Sequence, residues 1–339
     1  MATNVAEFTA ALVAAFPTVA AFRTMLSEGL NWNLDRLAGV GNLDDRVNEV
    51  VVWAIANGRE RELYDAARAK NEGNLQLKAM EAQLPPPSPF ANVNQFDNCF
   101  PRSKPFINRK ALRKAIKRLA DGNGPRVLVI DGDPQTGKSY SLFYIHHVAE
   151  RCNFDVVDID LKTAYPGQII DADSIARDIA TQMDLGEPPK SDEQGPRRSR
   201  VFCNWLTGKL RNSPRTWWVV IDHCDIPLPE DVVDLFCELA RRTDVSWKNM
   251  RLVLLSNSVE VPLLSDQSPE RERVAVIDLV HITEFVIQFR QQLGLADNDH
   301  EVQRVLREIL KRVDQSSPRR THMIGIATEQ QCRVMMGEG

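Results

Sequence analysis

Eight consecutive residues carry the clearest chemical signal in the chain. Gly132-Asp133-Pro134-Gln135-Thr136-Gly137-Lys138-Ser139 fits the pattern G-x-x-x-x-G-K-[ST]. Gly132 and Gly137 admit backbone conformations and close approaches that a Cβ would block, so successive N–H groups can turn inward around an anion. Lys138 supplies a mobile ammonium for β- and γ-phosphates, the Ser139 hydroxyl is placed to ligate Mg²⁺, and Tyr140 follows at the exit of the loop. A cradle of amides plus one cation points to ATP or another nucleoside triphosphate, with Mg²⁺ as counter-ion.

A second acidic position completes that chemistry. Trp217 to Ile221 is an apolar run of strand length ending in Asp222. Burial would fix the strand, and its tip would present the Asp222 carboxylate to the metal. His223, Cys224 and Asp225 come next. Three accounts of water activation stay open: Asp225 from the loop, His223 as a near-neutral base, or neither, with slow turnover.

These groups need a scaffold whose strands end at one edge. Val127–Ile130 is a strand emptying into the glycine loop, and a helix starting at Lys138 would add its positive N-terminal dipole. Strands are expected at Phe154–Asp160, Trp217–Ile221, Arg251–Leu255 and Val274–Leu279. Helices are expected at Ala111–Leu119, Ala172–Met183, Arg200–Arg211 and Asp231–Arg242, with a polar loop at Gly186–Arg198. Five strands alternating with helices predict an α/β fold, a five-stranded parallel doubly wound sheet with nucleotide at the carboxyl ends of the strands. Glu270-Arg271-Glu272-Arg273 reads as a charged loop before the last strand.

Flanking segments organise around this core at 106–280. Residues 1–83 carry helical apolar spacing (Val5, Phe8, Leu12, Phe16; Val19, Phe22, Met25, Leu26; Asp44–Asn57; Glu60–Lys70), a bundle of five or six short helices with no catalytic constellation. There Trp53 and Phe16 read as core, and Arg59, Glu60, Arg61 and Glu62 as a solvated face. Leu84-Pro85-Pro86-Pro87-Ser88-Pro89 cannot continue a helix and opens a Pro- and Asn-rich linker, 84–105. Residues 281–339 show two helical stripes and a last helix at Thr321–Met335, a small helical lid from which Arg319 and Arg320 are candidates to approach phosphates.

Composition adds limits. The chain has 339 residues, 42 Lys and Arg against 46 Asp and Glu, and a net charge of −4, so no global footprint indicates nucleic acid. Six cysteines show no C-x-x-C spacing, which argues against a zinc site or disulfide framework. No apolar run approaches about 18 residues, and the first residues lack a basic region followed by an apolar block. A cytoplasmic protein without a membrane span is expected.

Two resemblances extend this reading. Ala15-Phe16-Pro17, Trp53-Ala54, Glu62-Leu63 with Ala66-Ala67, and Asn71-Glu72-Gly73-Asn74 before Leu77 resemble the effector-associated domain 1 of bacterial conflict systems, a death-fold-like adaptor. The core is similar to STAND and AAA+-like P-loop NTPases. That similarity implies base contacts from the F-x-x-R segment, through Arg109 and the backbone around Ile107, and a γ-phosphate or water contact from Asn257 at the tip of the fourth strand. It also places a candidate arginine finger in Glu270–Arg273, though a solvated loop is the plainer account. Together they imply an ATP-dependent switch and adaptor. Its partner would be an effector or sensor bearing a matching domain, and a nucleotide-dependent homo-oligomer is a candidate assembly. With no sensor repeats in the sequence, the trigger would come from a partner, from assembly or from the lid. A small-molecule P-loop kinase and a nucleic-acid-dependent ATPase are the alternatives, the latter resting on Arg109, Lys110, Arg113, Lys114, Lys117 and Arg118.

Overall fold

A computed structural model describes residues 3–30, 32–85, 89–90, 93–107, 109–122, 124–165, 170–190, 195–211, 213–256, 269–317 and 319–337. The chain divides into two compact units, 1–92 and 93–339.

In the first unit, helices α1 (Val5–Ala15), α2 (Val19–Leu30), α3 (Leu34–Leu37), α4 (Leu43–Ala56), α5 (Glu60–Lys70) and α6 (Leu75–Met80) enclose one apolar core. Asparagine sets the starts of α1, α3, α4 and α6. The side chains of Asn4, Asn33, Asn42 and Asn74 accept hydrogen bonds from N–H groups that the first helical turn leaves without partners. Phe8, Leu12, Phe22, Met25, Val47, Val50, Leu63 and Leu77 recur at helical spacing because each helix buries one stripe. Arg59 departs from the expected solvated face. It is buried, with its guanidinium 4.6 Å from the centre of the Trp32 ring and paired with Glu62. Trp32 in turn meets Trp53 edge-on at 4.9 Å.

The second unit is a three-layer sandwich. Strands β1 (Val127–Gly132), β2 (Asp155–Asp160), β3 (Trp217–Asp222), β4 (Met250–Leu255) and β5 (Glu270–Val274) form one sheet in the order β2-β3-β4-β1-β5, all parallel. The central strands are mostly apolar because both faces are covered, Arg251 of β4 and the acidic tips of β1 and β3 excepted. Val127, Val219, Ile221, Leu252 and Leu254 point into the core under α9 (Ala172–Gln182), α10 (Pro196–Leu210) and α11 (Glu230–Val245). Leu128, Ile130, Trp218, Val220, Val253 and Leu255 point to the opposite face, under α7 (Lys110–Asp121) and α8 (Ser141–Arg151). Helices α12 (Leu279–Gln292), α13 (Asp299–Lys311) and α14 (Arg320–Met335) form the C-terminal layer.

Three expectations are corrected. The fifth strand is Glu270–Val274, not Val274–Leu279, so the supposed charged loop is itself the edge strand. Its glutamates lie half-buried against the sheet and its arginines face outward, which an edge position tolerates. Asp278, at the end of the expected strand, instead caps α12, accepting from the His281 N–H at 2.9 Å while His281 Nδ1 accepts from the Asp278 N–H. The helix after the glycine loop begins at Ser141, because Lys138 to Leu142 first make tight i to i+3 turns. Residues 93–105, read as linker, pack into the second unit. Phe96, Cys99 and Phe100 are buried, and the Tyr144 hydroxyl donates to the Phe96 carbonyl at 2.8 Å.

Arg251 ties α7 to the sheet. Buried in β4, it donates to the carbonyls of Leu119 at the end of α7, of Lys248 and of Met250, all within 2.9 Å. Burial, with the charge of Arg126 adding, lowers its pKa to about 10, so it stays charged at neutral pH. Replacing it by Met strands three carbonyls, and Arg251→Met is expected to cost about 2–4 kcal/mol in urea unfolding of the second unit. A loss below about 0.5 kcal/mol would show that water satisfies those carbonyls equally well.

Candidate functional site

The order of the sheet creates the site. From β1 the chain crosses to β2 at one edge, whereas from β4 it crosses to β5 at the other, so the exits of two neighbouring strands diverge and leave a crevice at their carboxyl ends. The glycine loop leaves β1 into that crevice. Gly132 has φ 151°, and a Cβ there would stand 2.5 Å from the Val274 carbonyl oxygen of β5. Gln135 at φ 65° and Gly137 at φ 85° turn the loop back. The Thr136 hydroxyl donates to the Asp133 carbonyl at 2.9 Å, closing the turn from within.

Lys138 is buried and curls over the start of the loop, donating to the carbonyls of Gly132 at 2.6 Å and Asp133 at 3.3 Å. Among the described residues no main-chain carbonyl accepts from the N–H groups of Gly137, Lys138 and Ser139. Three such amides before a helix N-terminus, beside an ammonium and a hydroxyl, form a donor set suited to phosphate oxygens. The Asp133 and Pro134 side chains lie outside, and Asp133 pairs with Arg273 of β5 at 2.8 Å with both groups largely exposed.

Arg109 braces the loop. Its guanidinium is buried, donating to the Thr136 carbonyl at 2.8 Å and the Ala275 carbonyl at 3.5 Å. Burial lowers its pKa to about 10, with Glu272 opposing. This guanidinium holds the glycine loop, and Arg109 and the buried Ile107 both line the adjoining cavity. That cavity measures about 690 Å³. On the core side Phe106, Ile107, Gln135, Gly137, Ser139, Tyr140 and Phe143 wall it; Ile277, Arg319, Thr321, His322, Ile326 and Glu329 close the other. Phe106 stacks on Tyr144 at 4.3 Å, with Arg113 above both rings, so the apolar wall is rigid. A room of this size with phosphate-type donors at one end and aromatic and aliphatic walls at the other matches the two halves of a nucleotide.

The acidic tips lie at β2 and β3, whose ends pair Asp160 with Asp222. Asp222 is buried, and its Oδ1 accepts from the His223 N–H at 2.6 Å. His223 sits at φ 60°, its Nδ1 2.8 Å from Asp160 Oδ1. Burial alone would raise the Asp160 pKa, but hydrogen bonds from the Thr163 hydroxyl and the Lys162 N–H, with His223 adding, bring it below the usual value. Asp225 is exposed beyond this cluster, and Asn257 lies outside the described residues. None of Asp160, Asp222 and His223 lines the cavity. Among the described residues no group of three or more His, Cys, Asp or Glu side chains could hold a metal ion by itself.

Thr321, His322, Ile326 and Glu329 on the lid side of the cavity, with Lys104 and Ile277 elsewhere on its rim, carry no signal in the sequence. No spacing flags them, because they meet the loop only through tertiary packing. Of the two lid arginines, Arg319 lines the cavity, and Arg320 donates to the Ile277 carbonyl at 3.0 Å. The basic run on α7 is mostly occupied. Arg113 donates to the carbonyls of Asp97 and Phe106, Lys110 pairs with Glu284, Lys117 with Asp121 and Arg118 with Glu270.

Comparison with known proteins gives a family for one part. Residues 3–85 match the family "Effector-associated domain 1". No curated protein matches the chain. Among solved structures, Cdc6p from Pyrobaculum aerophilum is 15% identical, covering 68% of this chain and 61% of its own, with a TM-score of 0.39. A Walker-type ATPase of Pyrococcus abyssi is 12% identical, covering 72% and 78%, with a TM-score of 0.38. Drosophila ORC bound to DNA is 13% identical, covering 66% and 60%, with a TM-score of 0.41. This chain therefore spans less than two thirds of two of these three, and all are distant. Among the described residues no single helix is long and apolar enough to cross a membrane. The chain thus carries a match to effector-associated domain 1 at residues 3–85, followed by a five-stranded parallel α/β unit with a glycine-rich loop after β1.

Proposed function

We propose that the second unit binds a nucleoside triphosphate, ATP in the first instance, with Mg²⁺, and that the first unit recruits an effector or sensor protein through a domain of its own kind. The observation that carries the proposal is the glycine loop, with its buried Lys138 and three main-chain amides, whose Gly137 and Ser139 line the cavity of about 690 Å³ together with Phe106, Ile107, Tyr140 and Phe143. Lys138 and the loop amides hold the phosphates, Ser139 and Asp222 hold Mg²⁺, and the aromatic wall seats the base. The metal, when bound, neutralises charge on the β- and γ-phosphate oxygens. Asp160 fixes the imidazole of His223 through Nδ1, which orients its Nε2 away from that carboxylate.

Hydrolysis is proposed to be slow, because the position after Asp222 carries a histidine already engaged with Asp160, and the next carboxylate, Asp225, is exposed. Such a site acts as a switch: contacts made with one lid position only shift a two-state equilibrium by their differential affinity. The adaptor role in a bacterial conflict system rests on the effector-associated domain 1 match and on the absence of a catalytic constellation from the sequence of residues 1–83.

Two experiments test the two halves. Incubation with γ-labelled ATP and cell extract should release label only as free phosphate, slowly; label transferred to an acceptor would make the protein a kinase. Removing residues 1–92, a compact unit by itself, should leave ATP binding within about threefold. The same deletion should abolish co-purification of the partner from the native host, and an unchanged set of bound proteins would remove the adaptor role.

A further inference from the structure

Besides its buried face, α14 makes two polar ties at the rim of the cavity. Near its first turn, Arg320 donates to the Ile277 carbonyl at 3.0 Å. Nine residues on, Glu329 forms an ion pair with Lys104 at 2.7 Å. At 1.5 Å rise per residue the two ties are roughly 13 Å apart along the helix, comparable to the depth of a nucleoside with its first phosphates. Thr321, His322, Gly325 and Ile326 lie between them and face the cavity.

Lys104 is not a loose surface group. It follows a single 3₁₀ turn, Pro101–Ser103, on a segment pinned on three sides. Phe100 meets Phe289 of α12 edge-on at 5.2 Å, Arg102 pairs with Glu150 of α8, and Phe106 is stacked on Tyr144. The ammonium is thus delivered from a rigid arm to the rim beside Pro105 and Phe106. Glu329 is only 18% exposed and is also paired with Arg333 one helical turn on. The Lys104–Glu329 pair, whose members both line the cavity, spans from the aromatic wall to the lid helix.

We infer that the Lys104–Glu329 ion pair is a clasp on the base-side rim of the nucleotide cavity, parting to admit or release nucleotide, so that it governs retention and not the chemistry at the phosphates. The inference rests on the proposed nucleotide site and adds its regulation. The pair is part-exposed, so its effect is modest and falls with salt.

The test uses a ribose-labelled fluorescent ATP analogue with Mg²⁺, displaced by excess ATP, on the full chain. Glu329→Gln and Lys104→Met should each speed dissociation about three- to tenfold at low salt, and the double reversal Lys104→Glu with Glu329→Lys should return the rate towards that of the parent. Equal dissociation from the parent and both single variants would overturn the clasp, as would a reversal no slower than either single change. A second measurement needs no nucleotide. In the ligand-free protein, amide hydrogen exchange in Gln330–Met335 should accelerate in Glu329→Gln, with little change near Arg320. Unchanged exchange contradicts the clasp even if the parent fails to bind the analogue, an outcome that would instead count against the nucleotide site.

Discussion

Replacing Lys138 by alanine is expected to lower affinity for Mg-ATP by about 100-fold or more while leaving the fold intact. Among the described residues the ammonium has no acidic partner to leave stranded. Its contacts are two carbonyls at the start of the loop, Gly132 and Asp133, to which water has access once the side chain is gone. A charge-assisted contact to each of two phosphates is lost, and the main-chain amides that remain bind the anion without a compensating cation. Lys138→Arg should not rescue binding, because the guanidinium fork is wider than the pocket that receives a compact ammonium. Equilibrium titration with a fluorescent ATP analogue and a melting curve check this. Near-parental affinity in Lys138→Ala would mean the loop does not hold phosphate.

Gly132→Ala is expected to be more damaging still, because it acts on the fold and the site together. At φ 151° an L side chain is strained, and its Cβ would sit 2.5 Å from the carbonyl oxygen of Val274. That carbonyl belongs to β5, the strand paired with β1 at this residue, so relief requires either the loop or the edge strand to move. A cost of about 3 kcal/mol or more to the second unit is expected, with loss of nucleotide binding. Gly208→Ala in α10 is the control. Nothing lies within 4 Å of its Cβ, and helix propensity should make it neutral or stabilising by up to about 1 kcal/mol. Parallel urea melts decide the matter; a Gly132→Ala protein as stable as Gly208→Ala would show that the close approach to β5 is not a constraint.

What could be read ahead of the structure was what local physics dictates. The strands expected at Val127–Ile130, Trp217–Ile221 and Arg251–Leu255 stood out as mainly apolar runs because both faces of the sheet are covered there. The phosphate loop stood out because its geometry demands glycine at fixed places. Strand β5 was hidden for the opposite reason: an edge strand exposes one face, and in Glu270-Arg271-Glu272-Arg273 the half-buried Glu270 pairs with Arg118 on α7. Residues 93–105 resembled a linker because nothing in them is periodic, yet scattered aromatic anchors bury them. Arg59 looked like one charge among four, whereas stacking on Trp32 takes it out of solvent. The lid face of the cavity had no local signal, since Thr321, His322 and Glu329 acquire their place only when α14 packs across the loop.

The central claim is that the crevice between β1 and β4 is built to hold a magnesium triphosphate. Titration calorimetry of the full chain with ATP, and separately with GTP, in the presence of Mg²⁺ tests it most directly. Saturable heat with one site per chain is expected for at least one purine triphosphate, and it is lost in Lys138→Ala. Folded protein that releases no heat with either nucleotide would contradict it.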